Sequence, residues 1–158
     1  MAKWDGMVKR KLVDKLELAA GDGDLSKYRD GSVKEIVCAH MLEYVPARQR
    51  NKLMEEIYRV LVPGGKVTVV VCYWSSPRAI QDPALEWPPF CEQSFLYFNR
   101  GWREANKLPP LKCDFDFTYG YQVDQETAAR GSDTQPFWIK HYLNTASDLQ
   151  VVLTKRDA

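Results

Sequence analysis

No apolar run in the 158 residues approaches the roughly 20 that a membrane-spanning helix needs, so no membrane span is expected. Residues 1–11 are basic and lack the apolar stretch of a secretory signal, and no Asn-x-Ser/Thr acceptor occurs in the chain. The expected address is cytoplasmic. Neither sign of charge dominates: 22 Lys+Arg against 21 Asp+Glu leave a formal charge of +1, which supplies no field to draw the chain to nucleic acid or an acidic membrane. Nine glycines and nine prolines are too few for a fibrous or disordered chain. Cys38, Cys72, Cys91 and Cys113 form no CxxC pair and have no neighbouring histidine cluster. Neither a metal site nor a disulfide framework is expected, and the thiols read as packed core groups.

What is present is ordinary globular material, 45% apolar and 27% charged, at a length that suits one domain around one core. The clearest element is a helix over residues 47–61, where Leu53, Met54, Ile57, Val60 and Leu61 recur on one face. Pro46 marks its start and Pro63-Gly64-Gly65 its stop, and Glu55 and Arg59 are spaced for an i,i+4 pair. Residues 34–39 (KEIVCA) and 66–72 (KVTVVVC) flank it as strands. The Val run of the second predicts burial on both faces, as in a parallel sheet. Strand, helix and strand make a βαβ unit, so the class is α/β.

Residues 15–20 (KLELAA) are a further strand candidate, followed by the turn Gly21-Asp22-Gly23-Asp24. Residues 73–89 form a long aromatic loop and residues 92–99 a short helix. Alternation over 113–123 and the run 148–154 predict a late antiparallel hairpin on the sheet's edge, and the polar stretch 126–135 between them a mobile loop.

Four segments in order carry a resemblance: Asp24-Leu25-Ser26; Asp30-Gly31-Ser32-Val33-Lys34-Glu35-Ile36; Ala39-His40-Met41-Leu42-Glu43-Tyr44; and Glu56-Ile57-Tyr58-Arg59-Val60-Leu61-Val62-Pro63-Gly64-Gly65-Lys66. They resemble the class I S-adenosylmethionine-dependent methyltransferases of type 11, with Tyr44 where that family has a second His and Val62 where it has Lys. The family's glycine-rich cofactor turn is missing, since Gly21-x-Gly23 runs into the later Asp-Leu-Ser turn instead of opening a helix. The resemblance implies a reduced Rossmann-like class I methyltransferase fold in a single domain, 1–158. It has an atypical segment over 1–25, an aromatic and proline-rich substrate-side insertion over 73–110, and a C-terminal antiparallel hairpin.

It further implies that strand 34–39 presents a bare edge. Residues 1–20, a second copy of the chain or a partner protein would complete the sheet there, and the expectation is an oligomer, of this chain or with a partner, completed through that edge. For the cofactor, S-adenosylmethionine, the resemblance points to Asp22, Asp24 and Leu25 on the adenine side and to Cys38, Ala39 and His40 beside the methionine portion. Tyr73, Trp74 and Ser75 would form the substrate wall, while Glu43 has a structural role at the helix entrance. Without the resemblance, Asp22 and Asp24 are turn formers, His40 is a strand-end residue bonded to backbone, and the downstream aromatics are core. Methyl transfer by in-line displacement needs positioning more than an acid/base pair, so no catalytic residue is singled out. The function expected is a methyltransferase of unknown acceptor whose cofactor site is incomplete in one chain. The alternatives are a non-catalytic binding or scaffolding subunit that pairs through the sheet edge, and a small-molecule pocket of different chemistry at the same strand ends.

Overall fold

A computed structural model describes residues 12–157. Its centre is one five-stranded sheet made of β1 (Val13–Leu18), β2 (Val33–Ala39), β3 (Leu61–Cys72), β4 (Phe115–Val123) and β5 (Ala146–Lys155), in the order β1-β2-β3-β5-β4. β1, β2 and β3 are parallel, while β5 lies antiparallel between β3 and β4. The α/β class, the βαβ unit and the late antiparallel pair are as the sequence predicts.

Helix α1 (Ala47–Val60) crosses from β2 to β3 and buries Leu53, Met54, Ile57 and Val60, the face picked out by their spacing. It ends one residue earlier than expected, because Leu61 is already extended (ψ 139). The Pro-Gly-Gly sequence lies inside β3 and turns the chain onto β2. Gly64 sits at φ +70, and a Cβ on Gly65 would lie 2.8 Å from the Val62 carbonyl and 3.0 Å from that of Lys34. Arg59 does not pair with Glu55: its guanidinium forks onto Glu56 and reaches Asp30, while Glu55 accepts from the Lys112 backbone N–H (2.8 Å).

Three further expectations are corrected. The edge of β2 is not bare, for β1 pairs with it from Val13↔Val33 to Leu18↔Cys38. Backbone hydrogen-bonding groups on a central strand find the nearest strand available, and here residues 13–18 supply it. The Val run of β3 is not buried on both faces: Val67, Val69 and Val71 are wholly buried, while Thr68 and Val70 are only half-buried. β-branched side chains suit a half-covered pleated surface as well as a dry one, so composition alone does not count the covered faces. The stretch 126–135 is not one irregular loop, because α3 (Gln125–Ala129) and α4 (Gln135–His141) enter it from either end. Asp124 caps α3 by accepting from the Thr127 N–H (2.8 Å) and hydroxyl (2.7 Å).

The aromatic segment is held by two buried cations bonded to carbonyl oxygens. Arg50 donates to Val45 (3.0 Å), Glu86 (2.8 Å) and Pro88 (2.7 Å) and lies over the Phe90 ring. Arg103, on α2 (Arg100–Ala105), donates to Tyr97 (2.6 Å) and Cys113 (2.7 Å). The expected short helix is a 3-10 helix, Glu92–Phe98, which buries Phe95 and Phe98. A buried guanidinium is costly unless most of its N–H groups are bonded; Arg50 bonds through Nε and both Nη atoms and Arg103 through both Nη atoms, its Nε having no partner among the described residues, so both arginines serve as anchors of the segment.

Candidate functional site

Ligands in open α/β sheets sit beyond the carboxyl ends of the parallel strands, and two concave places lie there. The first follows β1. Asp22 accepts from the Ala19 N–H (3.0 Å) and Asp24 from the Ser26 N–H (2.9 Å), so both carboxylates build the turn. The bonds from Ser26 hold the Asp24 carboxyl below the usual carboxylate range. Leu25 between them is buried, and Arg59 fastens the turn to α1 by donating to the carbonyls of Leu25 (3.2 Å) and Tyr28 (3.0 Å). Turn and helix enclose a groove of about 710 Å³, lined by apolar Leu25, Met41, Val45 and Leu53 and by polar Asp24, Ser26, Tyr44, Gln49, Lys52 and Glu56.

The second place follows β2 and β3. His40 occupies the left-handed region (φ 49) while its N–H bonds to the Val70 carbonyl (2.8 Å), so the chain turns sharply into a 3-10 turn, Leu42–Tyr44. That turn brings the buried Glu43 carboxylate under the end of β3, where Oε1 accepts from the Cys72 N–H (2.8 Å) and lies 3.1 Å from His40 Nδ1. Glu43 Oε2 is buried with no hydrogen-bond partner among the described residues. Cys72 Sγ lies 3.8 Å from the same His40 Nδ1, and His40 Nε2 lies 4.0 Å from Asp148 Oδ1. Arg78 Nη1 donates to both Asp148 oxygens (2.9 and 2.8 Å). A cavity of about 170 Å³ borders these groups, with Tyr44 and Asp82 on it joined by a 3.0 Å hydrogen bond. Burial first, and the Glu43 charge after it, push the Cys72 thiol up to about 11, so it is no ready nucleophile.

The residues singled out from sequence therefore part company. Asp24 and Leu25 line the groove, His40 lines the smaller cavity, and Tyr44 lines both. The Cys38 side chain is wholly buried in the core, where burial pushes its thiol up to about 12, while Ala39 is exposed. Of the proposed wall, Tyr73 packs inward against Tyr121 (ring centroids 5.2 Å apart), Ser75 is buried, and Trp74 is about half exposed. Arg78, Asp148 and the Cys72 thiol were not picked out as site residues, and no spacing signal could have done so, because strand order brings residues 40, 72 and 148 together and the 3-10 turn Pro77–Ala79 after β3 carries Arg78 to them.

The α/β fold with its mixed five-stranded sheet is class I methyltransferase-like. Residues 3–69 match the methyltransferase domain family. Among solved structures, a SAM-dependent methyltransferase from Archaeoglobus fulgidus is similar at 11% identity with a TM-score of 0.58, over 82% of this chain and 62% of that one. A methyltransferase from Haloferax volcanii, solved in complex with the methyltransferase activator Trm112, is similar at 18% identity with a TM-score of 0.55, over 87% of this chain and 60% of that one. At such identities the likeness is one of fold, and the chain spans about three fifths of the length of each of these two structures. No curated protein matches the sequence.

Proposed function

We propose that this chain carries the adenine-side half of an S-adenosylmethionine site and serves methyl transfer to an acceptor not yet identified. The observation that carries the reading is the groove between the Asp24-Leu25-Ser26 turn and α1, in the segment that matches the methyltransferase domain. Its donor set suits an adenine. Leu25, Met41, Val45 and Leu53 offer apolar surface to a planar ring, and Asp24 keeps a carboxylate oxygen beyond the one bonded to Ser26, free to accept from an exocyclic amine. Bound there, the cofactor would supply the electrophilic sulfonium methyl, and the chain's own part is to orient the adenosyl end and exclude water.

Calorimetric titration of the full chain with S-adenosylmethionine and S-adenosylhomocysteine tests this. Micromolar-range binding that weakens about tenfold or more in Asp24→Ala, a loss of about 1.4 kcal/mol or more, is the expected result. A folded protein giving no heat with millimolar ligand overturns it.

A second reading, a non-catalytic subunit that pairs through the sheet edge, draws on the outer side of β1, which pairs with no strand among the described residues. Asp14, Lys15 and Glu17 are exposed on that strand, and charges on an edge work against a zipper between copies. The mass of the chain in solution separates the two readings.

A further inference from the structure

We propose that His40, Glu43 and Cys72 form a binding site for one zinc-class divalent cation, with an open fourth position toward the cavity bordered by Tyr44 and Asp82. The inference goes beyond the adenine-side reading and uses none of the residues assigned to adenine, although His40 is the residue that the resemblance sets beside the methionine portion.

Geometry supports it first. A tetrahedral zinc with bonds of about 2.0 Å to nitrogen and oxygen and about 2.3 Å to sulfur sets its ligand atoms roughly 3.3 Å (N to O) and 3.5 Å (N to S) apart. His40 Nδ1 to Glu43 Oε1 is 3.1 Å and His40 Nδ1 to Cys72 Sγ is 3.8 Å, within a few tenths of an ångström of those edges, and the three ligand atoms all lie within 4.8 Å of one another. A merely packed thiol needs no such placement beside an imidazole and a carboxylate.

The unpartnered oxygen is a second observation, independent of the spacing. Glu43 is buried, and its Oε1 is engaged by the Cys72 N–H while Oε2 accepts from nothing among the described residues. A buried carboxylate oxygen without a partner costs free energy, and a cation held by both oxygens of this carboxylate would satisfy it. The surroundings of the imidazole are a third. Histidines that bind a metal through one ring nitrogen commonly offer the other N–H to a carboxylate. His40 Nε2 lies 4.0 Å from Asp148 Oδ1, outside hydrogen-bond length but on the side that Arg78 fixes by donating to both Asp148 oxygens, so Asp148 is the positioning residue that a small turn of the ring would engage.

Mixed nitrogen, oxygen and sulfur ligands favour zinc over magnesium or calcium, which prefer all-oxygen shells. Three protein ligands beside a solvent-bordered cavity leave a position for water, the arrangement of an open site in contrast to a closed structural one. On binding, the Cys72 thiol gives its proton to solvent and the thiolate bonds the cation, while His40 coordinates as the neutral imidazole with its proton on Nε2.

Cobalt(II), which reports thiolate ligation by absorption, is the probe. The full chain, reduced and metal-free, is titrated with cobalt chloride, and a thiolate-to-cobalt charge-transfer band that saturates at one ion per chain and is displaced by zinc is expected. Cys72→Ser should abolish the band, and His40→Asn should weaken binding tenfold or more while keeping a residue that tolerates the left-handed backbone. Cys91→Ser, which removes a half-buried thiol elsewhere, should leave the band intact. Zinc should raise the thermal midpoint of the unmodified chain and not that of His40→Asn, a readout that holds even if Cys72→Ser folds poorly. No band at millimolar cobalt, or a band that survives in folded Cys72→Ser, overturns the proposal.

Discussion

The two faces of the sheet obey different rules although the same strands build both. On one face Ile36, Val67, Val69, Leu149, Val151 and Leu153 are wholly buried, with α1 adding Met54, Ile57 and Val60 to the same core. On the other, the alternate positions of the same strands read Val37, Thr68, Val70, Gln150, Val152, Thr118 and Gly120, half-buried or exposed, with only Cys72 and Asp148 buried at its upper end, around a concavity of about 350 Å³. Pleating sends successive side chains to opposite sides, so one strand carries both a dry and a wet program. Among the described residues, apolar burial and with it most of the packing energy is concentrated on the α1 side, while the opposite face carries a polar mixture.

The largest effect that would break this comparison is expected at Ile57. Ile57→Ala should cost about 2–5 kcal/mol in chemical denaturation, because the cavity lies in the middle of the α1 face; a cost below about 1 kcal/mol would show that the face is not closely packed. Next comes an alkaline loss of stability from the buried Cys113 thiol, which burial foremost pushes up from the ordinary thiol range to about 11. A raised folded-state value means that the unfolded chain gives up the proton first. The stabilisation is therefore complete below about pH 9 and is lost as the pH rises toward about 11, amounting to about 2 kcal/mol. Urea melts of the unmodified chain and Cys113→Ala across that range should converge as pH rises, and parallel curves would refute the assignment. The smallest and sharpest effect is a pair of neighbours on β5. Val151→Thr places a hydroxyl in the dry core and should cost about 1–3 kcal/mol, whereas Val152→Thr, half-buried on the open face, should stay within about 0.5 kcal/mol. Equal costs would mean that the open face is covered in solution.

Legibility from sequence followed the range of the interactions involved. Helix α1 and strands β2 and β3 were readable because their apolar periods are local, and α1 appears within one residue of its expected end. The Glu55–Arg59 pairing was misread, because spacing names the neighbours along a helix and not the better acceptors: Asp30 and the carbonyls of Leu25 and Tyr28 approach the same guanidinium from outside the helix. The capped helix α3 was missed for the opposite reason, since a five-residue element has too little apolar period to detect and its signal is the single cap at Asp124. Of the site, the Asp-Leu-Ser turn and His40 were legible as motif positions, and their separation into two cavities was not.

Alternation, helical period and the Pro63-Gly64-Gly65 punctuation determined by themselves that this chain makes an α/β unit with a parallel core and a late antiparallel pair, because each of these preferences is settled between residues a few positions apart. Only the tertiary structure decided that β1 closes the edge of β2, that one sheet face is dry and the other open, and that Cys72, expected to be an inert packed thiol, stands beside His40 and Glu43. Those outcomes depend on which strands lie side by side and in what register, and hydrogen-bonded neighbours separated by dozens of residues leave no mark on the local pattern of either segment.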